Sequence, residues 1–349
     1  MARHIYAGAG HWTTNVRHFQ GGLFRTSPGA RDWQPLTRGL PEQVEARAFA
    51  VHPRDPDVVY VGTQDGPYRT LDGGERWDRT GFPDRNAVVW SITFHPTRPD
   101  VMYAGTAPVA LYRSEDSGDT WKKLPGAQSP EHCKMGFPTR TVRISVDAAR
   151  PDHIYAGLEV SGVIASTDGG ETWTDLSAPI IELAEKPHLK SRIGSQLDAE
   201  GMLDSHAITV GHESTAFLAV RMGLFRSDDH GASWQDMEIG RFSPLTYCRD
   251  VIVSPQDSKV MYACLSPAAR SHDGSLYRSD DAGASWRRFD HGVKAEATMM
   301  SAAVHRGDAS RVYCASRCGQ IFGTEDAGET WSEYRLPENV RDVYAVACT

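Results

Sequence analysis

One short motif recurs along the whole chain, and its recurrence constrains the fold more than any other feature of the sequence. The motif is Ser/Thr-x-Asp-x-Gly-x-x-Trp; six copies are clear, and a seventh keeps only the Thr, the Trp and a displaced Gly. The copies lie at residues 26–33, 70–77, 114–121, 166–173, 227–234, 279–286 and 324–331. Self-similarity of this kind is typical of repeat architectures, so we expect seven similar structural units.

The sequence around each copy predicts four short strands. An alternating apolar strand comes first, followed by an HPxxPD turn or its remnant and then by a second strand, as in AVHPRDPDVVYVG. A third strand of the form GLFRS or SLYRS leads into the motif, and the motif Trp begins the fourth. Four strands with turn signals between them are typical of an antiparallel propeller blade. The predicted fold is therefore all-β, a single seven-bladed β-propeller of four-stranded antiparallel blades over residues 1–349.

The two ends of the chain predict how this ring closes. HIYAG occurs at residues 4–8 and again at 153–157, but only the second copy follows a complete first strand. Residues 341–349, RDVYAVACT, have the pattern of a first strand with no second strand after it. We therefore expect the C-terminal strand to join the three N-terminal strands in one blade, which would remove the exposed edges of an open ring.

The repeated motif resembles that of the BNR or Asp-box repeat proteins, which include sialidases, xyloglucanases and photosystem II assembly factors. The resemblance implies a propeller fold in which the motif is structural: Asp accepts bonds from turn amides, Gly supplies a positive φ, and Trp buries a large apolar area. Sialidases of this family have six blades and an FRIP-like motif, which this sequence lacks. Xyloglucanases use a cleft between two seven-bladed rings with an Asp from each, whereas one ring is predicted here.

Composition excludes some classes of partner. The formal net charge of −8 and the absence of a basic run argue against nucleic acid as the partner. The sequence has no secretory signal pattern and no apolar run long enough to cross a bilayer, so we expect no membrane partner and a cytoplasmic location. The six cysteines have no regular spacing and are expected to be reduced thiols.

Three insertions point to one face of the ring as the functional face. They comprise residues 124–140 and 178–206, which link an outer strand to the next innermost strand, and residues 265–275, which join a second strand to a third. All three are predicted to lie at the face opposite the Asp-box turns, where the central channel opens. Loops of this length are uncommon without a role, so we interpret them as lids, with surface padding as the alternative.

Aromatic and charged residues are predicted at the same face. Two tryptophans, Trp12 and Trp90, lie outside the boxes and are expected to stack on a sugar or aromatic ligand, with a core role for Trp90 as the alternative. Arginines near the tops of the innermost strands are predicted to bind an anionic substrate, with pairing to neighbouring acidic residues as the competing interpretation. The candidate substrate-binding residues are Arg47, Arg143, Arg249, Arg341, Trp90, Trp12 and His11.

Acid–base chemistry has its own candidates. His206, Asp250, Glu45 and Tyr247 are predicted catalytic residues, because histidine beside a carboxylate can carry a proton. No nucleotide or flavin motif is present, and the cofactor is left open. A divalent metal is one option, with candidate ligands His11, His132, His188, His206 and His272, but these residues come from different blades and form no local metal motif.

Three functions remain open from sequence. The first is an enzyme of the hydrolase or lyase type that acts on a small anionic substrate, a sugar or an aromatic carboxylate, at the channel mouth. The second is a non-catalytic binding or assembly propeller that docks a protein partner through its arginine-lined face. The third is a glycoside hydrolase of the sialidase or xyloglucanase type. A shared fold does not decide among these functions.

Overall fold

The computed structural model describes residues 3–10, 21–194 and 197–349. These residues form seven four-stranded antiparallel sheets, and each innermost strand packs against the innermost strands of the two neighbouring sheets. The sheets are therefore the blades of a closed seven-bladed propeller, which confirms the predicted fold class.

The innermost strands surround the central channel. They are β4 (Ala46–Val51), β8 (Val88–Phe94), β12 (Thr141–Val146), β16 (Ser205–Val210), β20 (Tyr247–Val253), β24 (Met299–Val304) and β28 (Val343–Cys348). The second strands are β1 (Ile5–Ala9), β5 (Val59–Thr63), β9 (Met102–Ala107), β13 (Ile154–Leu158), β17 (Ala216–Val220), β21 (Met261–Ser266) and β25 (Val312–Ser316).

The third and outer strands complete each blade. The third strands are β2 (Gly22–Thr26), β6 (Gly66–Thr70), β10 (Leu111–Ser114), β14 (Gly162–Ser166), β18 (Gly223–Ser227), β22 (Ser275–Ser279) and β26 (Gln320–Thr324). The outer strands are β3 (Gln34–Pro35), β7 (Asp78–Arg79), β11 (Lys122–Lys123), β15 (Thr174–Asp175), β19 (Gln235–Asp236), β23 (Arg287–Arg288) and β27 (Ser332–Arg335). Blade 1 contains β28 and β1–β3, and blades 2 to 7 follow in chain order.

Helical segments are few and short. Two α-helices, α1 (Ala178–Leu183) and α2 (Glu200–Leu203), lie in the link between β15 and β16. Single 3-10 turns occur at Pro187–Leu189, His212–Ser214 and Ile239–Arg241. Within the described ranges, no helix has the length and apolar character needed to span a bilayer.

The ring closes through its two ends, as the sequence predicted. Strand β28 pairs antiparallel with β1, so that Ile5 lies opposite Cys348 and Ala7 opposite Val346. All six residues of β28 are buried. The HIYAG segment near the N-terminus is therefore the second strand of a blade whose first strand comes from the C-terminus.

The Asp-box turns are held by bonds within each turn. In the blade 3 box, Ser114 donates its hydroxyl to Asp116 Oδ1 at 2.8 Å and accepts the Gly118 amide at 2.8 Å. Thr120 donates its amide to Oδ1 at 2.8 Å and its hydroxyl to Oδ2 at 2.6 Å. The same Ser/Thr-to-Asp bond occurs in all six clear boxes. Each carboxylate is thus used by its own turn.

The hydrophobic core lies between neighbouring blades rather than inside each blade. The box Trp of blade 2, Trp77, is fully buried and packs in one cluster with Tyr6 and Leu23 of blade 1. Tyr6 also donates its hydroxyl across this boundary to the carbonyl of Gly73 in the blade 2 box, at 2.8 Å. Each box therefore joins its own blade to the preceding one.

Candidate functional site

Every innermost strand carries a β-bulge at the same end of the channel. In β4, for example, Ala46 pairs with Thr63 and Ala48 with Gly62, so that Arg47 is the extra residue. A bulge redirects the side chain of its extra residue. The bulged residues are Arg47, Trp90, Val142, His206, Arg249, Met300 and Tyr344, and all seven line the central cavity. We call the end of the channel that they surround the mouth.

The bulged position can be located from the sequence by counting back from the turn that follows the strand. In the six innermost strands that a turn follows, the bulged residue lies five positions before the first residue of that turn; Arg47 precedes His52 in this way, and Trp90 precedes His95. This count selects Val142 and Met300, neither of which was predicted. Arg341 lies three positions before the bulged Tyr344, and it is exposed and absent from the cavity lining.

Three arginines line the mouth, and two of them have carboxylate partners. Arg47 forms an ion pair with Glu45. Arg143 of β12 donates to Asp250 of β20 at 2.6 Å, reaching past the intervening strand β16. Within the described residues, no hydrogen bond or ion pair joins Arg249 to another group. The fields of Tyr247, Glu159 and Asp204 outweigh the opposing effect of burial and raise the Arg249 pKa, so its guanidinium stays charged.

Trp90 is packed into the mouth and offers little surface to a ligand. Its side chain is 9% exposed. The guanidinium carbons of Arg47 and Arg140 lie 4.1 and 4.2 Å from its ring centroid, and Tyr344 contacts it edge-on at 5.4 Å. Cation–π contacts of this kind stabilise the arginine positions. The geometry therefore favours a packing role for Trp90 over the predicted stacking on a sugar.

His206 belongs to a buried polar network with Tyr247 and Asp204. Its Nδ1 donates to the Cys248 carbonyl at 2.7 Å, while Nε2 lies 3.3 Å from Asp204 Oδ2 and 3.2 Å from the Tyr247 hydroxyl. Burial raises the pKa of Tyr247 to about 12. Burial also opposes ionisation of Asp204, but the neighbouring His206, Arg221 and Arg249 outweigh it, and the Asp204 pKa is lowered. Asp204 is therefore an ionised carboxylate behind the mouth.

Two predicted catalytic carboxylates are already engaged. Asp250 is almost fully buried; its Oδ1 binds Arg143, and its Oδ2 accepts the Ala302 amide at 3.1 Å. Glu45 pairs with Arg47. Neither carboxylate appears among the lining residues of the cavity, whereas His206 does. The arrangement gives Asp250 and Glu45 a part in positioning arginines.

One carboxylate that was not predicted from sequence, Glu159, lies close to Arg140. It lies in the tight turn between β13 and β14, and its Oε2 is 2.5 Å from Arg140 Nε. Burial raises the pKa of Glu159 to about 7, because its effect outweighs the opposing positive charge of Arg140. The negative charge of Asp204 raises the pKa further. A carboxyl group that titrates near neutrality is suited to general acid–base chemistry. No insertion or motif marks this short turn, so no sequence pattern pointed to Glu159.

The remaining candidates that the structure describes do not line the mouth. His11 and Trp12 lie outside the described residues. His132 bonds Asp175 at 2.7 Å, His188 lies 3.4 Å from Asp236, and His272 is exposed. In the described part of the chain, no three His, Cys, Asp or Glu side chains are grouped so as to hold a metal ion. Among the described candidates, His132, His188 and His272 are therefore not grouped with His206.

Fold and mouth together define a seven-bladed β-propeller, and comparison with known proteins finds relatives and solved structures that are similar to it. Residues 274–347 match the model of the Sortilin-Vps10 family, described as sortilin, neurotensin receptor 3. A xyloglucanase of Acetivibrio thermocellus is 25% identical over 251 residues, covering 60% of this chain and 27% of the relative. A xyloglucanase of Paenibacillus sp. is 25% identical over 315 residues, covering 77% of this chain and 29% of the relative.

Solved structures share the fold. The GH74 xyloglucanase of Xanthomonas campestris superposes with a TM-score of 0.62 at 17% identity, covering 99% of this chain and 52% of that one. YCF48 of Cyanidioschyzon merolae superposes with a TM-score of 0.57 at 16% identity, covering 87% and 88%. A further structure shows YCF48 bound to D1 peptide. This chain spans less than a third of the length of the curated xyloglucanases it matches.

Proposed function

We propose that the mouth of the central channel binds a small anionic ligand and that Arg249 receives the negative charge. One observation carries the proposal: among the three arginines of the mouth, Arg249 alone has no carboxylate partner in the described residues. No aspartate or glutamate lines the cavity among those residues. A charged guanidinium in a recess of this kind attracts an anion through charge-assisted hydrogen bonds.

The surroundings of Arg249 support the proposal. Arg143 from blade 4 and His206 from blade 5 line the same cavity, and Arg143 is fixed by its bond to Asp250. A guanidinium that is already held loses little conformational freedom when a ligand arrives. The cavity volume of about 290 Å³ suits a small molecule rather than a polymer segment.

The test compares Arg249→Met with Arg341→Met. Both variants remove one arginine, but Arg341 is exposed and lies outside the cavity lining. Both variants and the wild type are screened with small carboxylates, sulfonates and sulfate, and binding is detected by the shift in unfolding temperature. The Kd of each anion that binds is then measured by calorimetry. We expect Arg249→Met to lose binding by at least about tenfold and Arg341→Met to keep it. Equal affinity in Arg249→Met and wild type would refute the proposal.

A second function, acid–base chemistry on the bound anion, is favoured by Glu159. The pKa of Glu159 is about 7, so this carboxyl group can hold a proton near neutrality. The pKa of Asp204, in the neighbouring blade, is lowered, so this group stays ionised. Such divergence is the pattern of an acid and a base. If this function is correct, the protein should turn over a bound carboxylate or sugar acid by hydrolysis or elimination. Glu159→Gln should abolish this turnover and still bind the anion. If the wild type binds anions of the panel but turns none of them over, the acid–base function is refuted and the propeller only binds its ligand.

The comparisons suggest two other ligands. The xyloglucanase relatives point to a glycan, and YCF48 to a peptide. A glycan cleft normally presents open aromatic rings, and in the described residues the exposed large hydrophobic side chains are Leu71 and Phe137. Phe137 belongs to the insertion at 124–140 and lies 5.6 Å from the Arg140 guanidinium. Binding of a xyloglucan oligosaccharide that survives Arg249→Met but is lost in Phe137→Ala would favour the glycan.

A further inference from the structure

The two charged residues that pair across the mouth occupy one register position in the repeat. Each lies directly after the bulged residue of its innermost strand: Arg143 follows Val142, and Asp250 follows Arg249. The other five blades carry small residues there, namely Ala48, Ser91, Ala207, Ser301 and Ala345. Blades 4 and 6 therefore differ from the other five at this position, because they carry a charged residue in place of a small one.

The serines at this position show what the repeat itself requires. Ser91 accepts the amide of Ile144 in the next blade at 2.9 Å, and Ser301 accepts the amide of Val346 at 3.4 Å. Asp250 makes the same bond, from the Ala302 amide to its Oδ2 at 3.1 Å. A serine is thus sufficient for the bond between blades. The second oxygen and the negative charge of Asp250 go to Arg143.

This pairing sets the charge of the mouth. With Arg47 paired to Glu45 and Arg143 to Asp250, Arg249 is the one arginine of the mouth that has no ion-pair partner in the described residues. If Arg249 binds one negative charge of a dianion, the second negative charge has no free cation among the described mouth residues to pair with. An unpaired charge in such a recess is energetically costly. Removing the Asp250 charge would free Arg143, which lines the same cavity, to meet it.

We infer that Asp250 determines specificity by neutralising Arg143, so that the mouth selects a singly charged anion over a doubly charged one. The inference rests on the proposed anion site at Arg249. It assigns Asp250 a positioning role that differs from the catalytic role expected from sequence. The ligand class is a monoanion such as a carboxylate or a sulfonate.

The experiment uses methanesulfonate and sulfate, which have similar size and tetrahedral geometry but carry one and two charges at every working pH. Both are titrated into the full chain with methyl-labelled methionine, and the Met300 signal reports binding because Met300 lines the cavity. The measured quantity is the ratio of the sulfate Kd to the methanesulfonate Kd. Asp250→Ser, which keeps the hydroxyl found in Ser91 and Ser301, should lower this ratio at least about tenfold.

The partner variant gives the opposite result. Arg143→Met leaves the Asp250 charge uncompensated beside Arg249, so both anions should bind at least about tenfold more weakly, with sulfate affected most. Ser301→Ala serves as the control, because it removes the equivalent bond between blades without changing charge, and its ratio should match the wild type. Asp250→Asn covers the case in which the serine variant fails to fold, and it should also lower the ratio.

The outcomes separate the inference from the function on which it rests. The inference about Asp250 is overturned if the ratio of the two Kd values is unchanged in the folded Asp250 variants. It is also overturned if Ser301→Ala changes this ratio as much as they do. In both cases the anion site at Arg249 still stands. A change of the same sign in Asp250→Ser and Arg143→Met assigns the pair to stability alone and also overturns it. Failure of both anions to bind the wild type, or their undiminished binding to Arg249→Met, overturns the anion site and the inference with it.

Discussion

The two faces of the propeller use carboxylates in different ways. At the Asp-box face each aspartate of a clear box binds groups from its own turn; Asp116, for example, is held by Ser114 and Thr120. At the mouth a carboxylate also binds across blades, since Arg143 reaches Asp250 in another blade. The first arrangement recurs in six blades, and the second occurs where the repeat is broken. A repeated local bond stabilises the ring, whereas departures from the repeat supply what is particular to this protein.

The largest expected effect comes from removing the seam on which both faces depend. Deletion of residues 343–349 exposes the second strand of blade 1 and loses six buried side chains of β28. The loss of apolar burial is on the order of 10 kcal/mol, comparable to the whole stability of a domain. We expect no cooperative unfolding transition by calorimetry. A deletion variant that melts like the wild type would contradict the closed ring.

A box variant should lower stability and leave the mouth intact. Asp116→Ala removes the acceptor of three bonds, two from Thr120 and one from Ser114. Because this carboxylate is largely exposed, the expected cost is about 1 kcal/mol in chemical denaturation. Glu115→Ala in the same turn is the control, since Glu115 binds only the side chain of Arg113 among the described residues. Loss of anion binding in Asp116→Ala would contradict the separation of the two faces.

The two faces should respond to pH with opposite signs. The bonds from Thr120 are the largest cause that lowers the pKa of Asp116, so its contribution to stability is present above the ordinary Asp pKa and is lost as pH falls below it. The pKa of Glu159 is raised to about 7, so its contribution is present below pH 4.5 and is lost as pH rises through 7. The free energy of unfolding of Glu159→Gln, relative to wild type, should therefore rise as pH increases from the ordinary Glu pKa of 4.5 through the raised value of about 7. A flat difference across that range would contradict the raised pKa.

The smallest expected effect belongs to Arg341. Its side chain is exposed and outside the cavity lining, so Arg341→Met should change stability by less than about 0.5 kcal/mol and leave anion affinity unchanged. Chemical denaturation and calorimetric titration measure the two quantities. A marked loss of affinity would mean that the mouth extends to the link before β28.

Periodicity in the sequence was enough to predict the architecture. The box copies gave the number of blades, and the displaced HIYAG segment gave the closure, because both depend on local patterns that repeat. The mouth was predicted only in part: Arg47, Arg143, Arg249 and His206 line the cavity as expected, because they lie on innermost strands.

What the sequence did not reveal depends on contacts between distant residues. Arg143 and Asp250 are 107 positions apart, and no pattern in one sequence predicts their pairing. Arg341 was predicted at the mouth, but it lies three positions before the bulged Tyr344, in the link that precedes β28, and it is absent from the cavity lining. Glu159 was missed because its character comes from burial beside Arg140, a property of the folded ring.

A crystal structure of the protein grown with methanesulfonate, a singly charged anion, tests the anion site at Arg249 most directly. We expect density for the anion within hydrogen-bond distance of the Arg249 guanidinium, with the Arg143 to Asp250 bond intact. An anion bound instead at the Asp-box turns, or at the opposite end of the channel near Arg306, would contradict it.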